Sequence, residues 1–81
     1  MRTFVTGVAG FVGSHLAERL LGSGAEVWGL VASASETGNL AACQASLAGS
    51  RLRLVAGDLC DAPGLAAILA ECRPEAIYHL A

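Results

Sequence analysis

The stretch VTGVAGFVGSHLAERL, residues 5–20, constrains the fold more than any other part of the chain. A β-prone run over residues 3–6 ends on Gly7, and Gly10 and Gly13 follow at intervals of three. From Phe11 the apolar residues recur with a helical period: Val12, Leu16 and Leu20 fall at i, i+4 and i+8, and so do Gly13, Ala17 and Leu21. Together they predict one wide apolar face, with Ser14, His15, Glu18 and Arg19 outside it. Each glycine costs a regular element roughly 0.5–1 kcal/mol against alanine, so three at one strand–helix joint need a local reason. In a strand–turn–helix unit Gly7 allows the tight turn, Gly10 lets the main chain approach a pyrophosphate, and Gly13 lets the helix pack against the sheet. The N–H groups of Phe11 and Val12, at the positive end of the helix dipole, are then free to hold phosphates. Ten of the 81 residues are glycine, so a chance triplet is the competing explanation. The β-branched strand before it and the amphipathic helix after it favour a dinucleotide-binding turn.

The rest of the chain alternates in the same way. Residues 22–24 (GSG) stop the first helix. Glu26–Val31 (EVWGLV) is apolar almost throughout, as in a strand covered on both faces. A polar, serine-rich loop over 33–39 and a weak alanine-rich helix over 40–47 lead to a third strand, Leu52–Ala56, closed by Gly57 and Asp58. Asp61 and Pro63 carry helix-start chemistry, and Leu65, Ile68, Leu69 and Cys72 share a helix face that ends before Pro74. Residues 76–80 (AIYHL) read as a fourth strand. The order βαβαβαβ, with connections long enough for parallel crossovers, predicts an α/β, Rossmann-type doubly wound parallel sheet. No helix follows the fourth strand. The expectation is therefore that residues 1–81 form the amino-terminal part of a single dinucleotide-binding domain, cut off in mid-architecture.

Composition narrows the function classes. The chain is 54% hydrophobic and only 15% charged, with a mean hydropathy of +0.58, against roughly 25% charged residues in an average soluble chain. That is too little polar surface for a segment standing alone. A net charge of −2, with five scattered arginines and no lysine, argues against a nucleic-acid partner. No apolar run approaches the roughly 18–20 residues of a membrane span, and no membrane association is expected. The immediate entry into a strand leaves no room for a signal peptide. Three cysteines without a CxxC pair read as free, mostly buried thiols of a reducing compartment. Cytoplasmic location is the expectation. Cys60, Cys72 and His79 are spaced too irregularly for a metal site. Ser14 and His15, adjacent on a helix, cannot face each other as nucleophile and base. A lone His79 on a strand is expected to be packed and hydrogen-bonded rather than catalytic, and His15 to be solvated.

TGVAGFVGSHLAERLL, with GDLCD at 57–61 and PEAIYHLA at 74–81, resembles the extended short-chain dehydrogenase/reductases, the superfamily of NAD-dependent sugar-nucleotide epimerases and 4,6-dehydratases. The resemblance covers nearly the whole chain and is least specific over 34–50. It implies a cofactor site formed by Gly7, Gly10, Phe11, Val12, Gly13, Ala32, Asp58, Leu59, Leu80 and Ala81. Asp58 and Leu59 would meet the adenine, and Leu80 and Ala81 would give backbone contacts near the ribose and pyrophosphate. Asp61 is expected to cap the following helix. The strand order of such a sheet puts strands one and four side by side, with the cofactor at the switch point between them.

In this superfamily the residue ending the second strand reads the adenosine ribose: a carboxylate selects NAD, a nearby arginine NADP. Here Ala32 and Ser33 depart from both patterns, and the nearest downstream carboxylate is Glu36. With no anion at Ala32, and hydroxyls at Ser33, Ser35 and Thr37, the reading leans to NADP, with NAD the alternative. The 4,6-dehydratase branch looks most similar. It implies oxidation of a nucleotide-linked sugar at C4 by hydride transfer, loss of water across C5–C6, and return of the hydride. A 4-epimerase or a 4-keto-sugar reductase is the alternative within the class, and a non-catalytic NAD(P)-binding sensor or scaffold is the alternative outside it. The superfamily's catalytic Tyr-x-x-x-Lys pair is expected beyond residue 81, so no catalytic residue is assigned within this chain. A homodimer through helices beyond residue 81 is what the resemblance implies for the full-length protein.

Overall fold

In the computed structural model, which describes residues 1–32, 40 and 51–80, four strands form one parallel sheet in the order β3-β2-β1-β4. β1 is Arg2–Thr6, β2 Glu26–Val31, β3 Leu52–Ala56 and β4 Ala76–His79. Two helices are described, α1 (Phe11–Gly22) after β1 and α2 (Ala62–Cys72) after β3. The helix expected over 40–47 lies outside the described residues, apart from a fully buried Leu40.

The registers explain why the sheet is apolar on both sides. Val5 pairs with Gly29, Gly29 with Leu54, and Val5 with Tyr78, so these residues share a face. That face packs against Ala17 and Leu21 of α1 in a cluster with Val27, Val31 and Leu40. Phe4 pairs with Trp28 and belongs to the opposite face, where Leu30, Val55, Leu65, Ile68, Leu69 and Cys72 gather under α2. One helix on each face is the doubly wound α/β arrangement that the alternation predicts. β1 carries the centre: Thr3, Phe4, Val5 and Thr6 are all buried.

α1 departs from its predicted face. Val12 is exposed and Ser14 buried, while Gly13, Ala17 and Leu21 point inward as expected. The buried face is centred on the row of Gly13, Ala17 and Leu21, with Ser14 beside it, while Leu16 and Leu20 of the Val12 row are only half-buried. Ser14 tolerates burial because its hydroxyl donates to the Phe11 carbonyl at 2.9 Å. The helix stops at Ser23, and Gly24 follows with φ of 92°. α2 begins as predicted: Asp61 Oδ1 accepts the Gly64 N–H at 3.2 Å, with Pro63 in the first turn. It ends on Arg73, a non-glycine residue with φ of 50°.

At the amino-terminal end of the sheet Arg2 ties three elements together. Its Nε donates to Glu26 Oε2 at 3.0 Å and its Nη1 to the Cys72 carbonyl at 2.9 Å, so the cation sits at the negative end of α2. Trp28 is covered by the Arg53 guanidinium, 4.8 Å from the ring centroid. Of the cysteines, Cys72 is buried as expected, but Cys60 is exposed in the β3–α2 turn; Cys43 lies outside the described residues. The fourth strand is less covered than a buried strand would be, with Ile77 and His79 exposed. His15 is exposed, as expected for its side of α1, and its ring meets Phe11 edge-on at 4.6 Å.

Candidate functional site

The carboxyl ends of β1, β2 and β3 open into a single cleft of about 920 Å³. Its wall follows the strand ends: Thr6, Gly7, Ala9 and Gly10 after β1, Leu30, Val31 and Ala32 at β2, and residues 56–60 after β3. In open α/β sheets this edge is where ligands bind.

The three glycines of the first turn do different work. Gly7 has φ of 69°, a left-handed conformation that other residues adopt at a cost. Gly13 is buried, and a Cβ there would run into the Gly7 carbonyl oxygen and lie 2.8 Å from its carbon and 2.9 Å from Val8 Cα. All three obstacles are main chain and cannot rotate away. The close approach of α1 is thus to the turn itself, a more specific contact than the helix–sheet packing expected from sequence. Gly10 differs. Its φ of −72° and ψ of 173° suit any residue, and a Cβ would meet only the Gly7 oxygen, at 3.3 Å. A side chain at Gly10 would press on one main-chain oxygen and is far less obstructed than one at Gly13. Gly10 is exposed and lines the cleft.

Gly10 is also the N-cap of α1, with no side-chain cap and no acidic residue in the first turn. The Gly10 N–H bonds the Gly7 carbonyl at 3.1 Å, and the first intrahelical bond runs from Ser14 N–H to the Gly10 carbonyl at 2.9 Å. The amides of Phe11 and Val12, among the first four of the helix, have no intrahelical acceptor. Both side chains stand out from the surface, 72% and 64% exposed, and do not line the cleft.

On the far wall Asp58 does two things. Its Oδ1 accepts the Cys60 N–H at 2.9 Å, and its carbonyl accepts the Asp61 N–H at 2.9 Å, so it builds the turn after β3. It also lines the cleft beside Leu59, which is 39% exposed. Ala32 lines the cleft between the two walls and is exposed. The structure therefore brings Gly7, Gly10, Ala32, Asp58 and Leu59 around one space, with Gly13 buried behind it. Leu80 does not line this space; its N–H is bonded to Thr6, which does. Ala81 lies outside the described residues, as do Ser33, Ser35, Glu36 and Thr37.

Two residues of the site escaped the sequence reading. Val8 is fully buried and lies over Gly29, where a Cβ would sit 2.6 Å from Val8 Cγ1; the notch in β2 anchors the turn. An isolated glycine inside an apolar strand was the available signal. Thr6 borders the cleft and bonds His79, Oγ1 to Nδ1 at 2.7 Å. The hydrogen bond expected of His79 is present, on a residue more exposed than a packed strand position implies.

Comparison with known proteins places this geometry. The family model described as GDP-mannose 4,6 dehydratase matches residues 4–81. UDP-glucose 4-epimerase of Mycolicibacterium smegmatis is 45% identical over 82 residues, covering all of this chain and 25% of the relative. Human GDP-mannose 4,6 dehydratase is 40% identical, over 94% of this chain and 22% of its own length. Among solved structures, UDP-glucose-4-epimerase of Stenotrophomonas maltophila, with bound NAD and formylated UDP-arabinopyranose, superposes with a TM-score of 0.82 at 28% identity, covering all of this chain and 24% of that one. The chain thus spans about a quarter of the length of these relatives. With nearly all of its residues inside the match, the chain belongs to the GDP-mannose 4,6 dehydratase family.

Proposed function

We propose that the cleft holds the adenosine diphosphate half of a nicotinamide dinucleotide, and that the full-length protein modifies a nucleotide-linked sugar. The observation that carries the reading is Gly10: without a side chain or a side-chain cap, it stands on the wall of the cleft at a helix N-terminus whose first amides have no intrahelical acceptor. The residues fit such a group. The Phe11 and Val12 amides would hold the pyrophosphate with help from the helix dipole. Ala32 would face the adenosine ribose, and Asp58 and Leu59 the adenine, Asp58 through whatever acceptor capacity the Cys60 bond leaves. Leu80 and Ala81 would complete the site with main-chain contacts from the end of β4.

When bound, the nicotinamide supplies reversible hydride chemistry, and its substrate position would be C4 of the sugar. The chain's own part is to bind and orient. Tyr78 pairs with Val5 inside the sheet and packs against the core beneath α1. Dehydration is the reading the family match favours, and epimerisation the reading favoured by the mycobacterial relative; both begin by oxidising C4. A cytoplasmic homodimer belongs to the same proposal, on the resemblance alone.

The test is direct. Purified full-length protein should bind NAD or NADP in calorimetry, and with a panel of nucleoside-diphosphate hexoses should yield a 4-keto-6-deoxy product or the C4 epimer. Binding without turnover on any sugar would support a sensor. Failure to bind either cofactor would end the proposal. Ala32 presents no carboxylate to repel a 2′-phosphate, which favours NADP, whereas the Stenotrophomonas neighbour holds NAD. A tenfold preference for NAD, about 1.4 kcal/mol, would overturn the NADP reading.

A further inference from the structure

Thr6 is the last residue of β1 and borders the cleft, yet is only 3% exposed. Its hydroxyl has one proton to give and two lone pairs. The Leu80 N–H, 3.1 Å from Oγ1, uses one lone pair, and the same N–H lies 3.3 Å from the Thr6 carbonyl. His79 Nδ1 stands 2.7 Å from Oγ1. Two proton arrangements are compatible with that distance. If Nδ1 carries the proton, the hydroxyl accepts twice and its own hydrogen has no acceptor among the described residues. That orphans a buried donor, which folded proteins avoid. If the proton is on Nε2, the hydroxyl donates to Nδ1 and accepts from Leu80, and every group is satisfied. The exposed ring then leaves Nε2–H to water.

We infer that His79 is a positioning residue for the dinucleotide site: with Nδ1 as acceptor and the ring proton on Nε2, it fixes the Thr6 hydroxyl so that Oγ1 holds the Leu80 main chain beside the glycine turn. The inference rests on the cofactor reading above. Thr6 immediately precedes Gly7, whose carbonyl holds the Gly10 N–H, so the imidazole steadies both the turn and the end of β4. The glycine turn on the cleft wall and the end of β4 beside it are thereby joined through one hydroxyl.

The experiment has two arms, both on the full-length protein. Nitrogen-15 NMR of the histidine ring under mildly alkaline conditions should report the Nε2–H tautomer for His79. His79→Asn places its amide near the Nδ1 position and His79→Gln near Nε2. Among variants whose circular dichroism matches wild type, His79→Asn and Thr6→Ser should bind whichever of NAD or NADP the wild type prefers within about threefold of wild type. His79→Gln and Thr6→Val should bind it about tenfold more weakly. An Nδ1–H tautomer, or equal binding by the Asn and Gln variants, overturns the inference while the cofactor reading stands. If wild-type protein binds neither cofactor, the cofactor reading fails and the positioning role fails with it.

Discussion

Replacing Gly13 and Gly10 by alanine, one at a time, separates what the first turn does for folding from what it does for a ligand. At Gly13 the new methyl starts 2.8 Å from the Gly7 carbon and 2.9 Å from Val8 Cα, where ordinary contact begins at 3.4 Å. Helix α1 or the turn must move. Overpacking of this kind costs about 1–3 kcal/mol, and the rigid main-chain partners place it at the upper end. Alanine returns about 1 kcal/mol of helix propensity, which leaves a net loss of about 2 kcal/mol. At Gly10 the methyl meets one oxygen at 3.3 Å on a backbone that already suits alanine. The loss there is no more than about 1 kcal/mol, from the poorer N-cap. Urea denaturation of the two full-length variants, followed by calorimetric titration with the preferred dinucleotide, reads both effects. Gly13→Ala should shift the unfolding midpoint clearly. Gly10→Ala should shift it by no more than about half as much, yet weaken binding about tenfold or more. A Gly13 variant as stable as wild type would refute the steric argument. A Gly10 variant with unchanged affinity would refute the division of labour.

Two further outcomes concern α2. Arg73 ends the helix with φ of 50°, a left-handed cap that glycine fills without strain; Arg73→Gly should stabilise the protein by about 1 kcal/mol, measured as a raised urea midpoint. Burial pushes the Cys72 thiol above its usual 9.0; Arg2 opposes the shift and Glu26 adds to it. The folded state therefore holds that proton more tightly than the unfolded chain. The resulting stabilisation is complete below the ordinary thiol value and is lost as pH rises through the higher folded one. Unfolding free energy measured across the alkaline range should fall more steeply in wild type than in Cys72→Ala, and equal slopes would contradict it.

Much of the fold was legible because each strand carries its own punctuation. β2 and β3 have the bounds read from sequence, since turn residues flank both apolar runs. β1 reaches back to Arg2, whose pairing with Glu26 no local pattern announces. Val12 and Ser14 exchanged environments because periodicity fixes which residues share a side of a helix but not where on that side the packing is centred; here it is centred on Gly13, Ala17 and Leu21. Five of the ten residues assigned to the site, Gly7, Gly10, Ala32, Asp58 and Leu59, border the cleft. Asp58, expected at the adenine, also builds the turn after β3 through its two oxygen contacts while it lines the cleft. Thr6 was not singled out because its part depends on His79, seventy-three positions away.

That separation bears on how the molecule assembles. β1 is made first and sits in the middle of the sheet, but one of its edges is satisfied only by β4, through Thr3 with Ala76 and Thr6 with His79. Closing so long a loop is slow compared with the local βαβ step that joins β1 to β2. A growing chain therefore carries an open, apolar strand edge until the last of these residues emerges, and such an edge is a template for pairing with another chain.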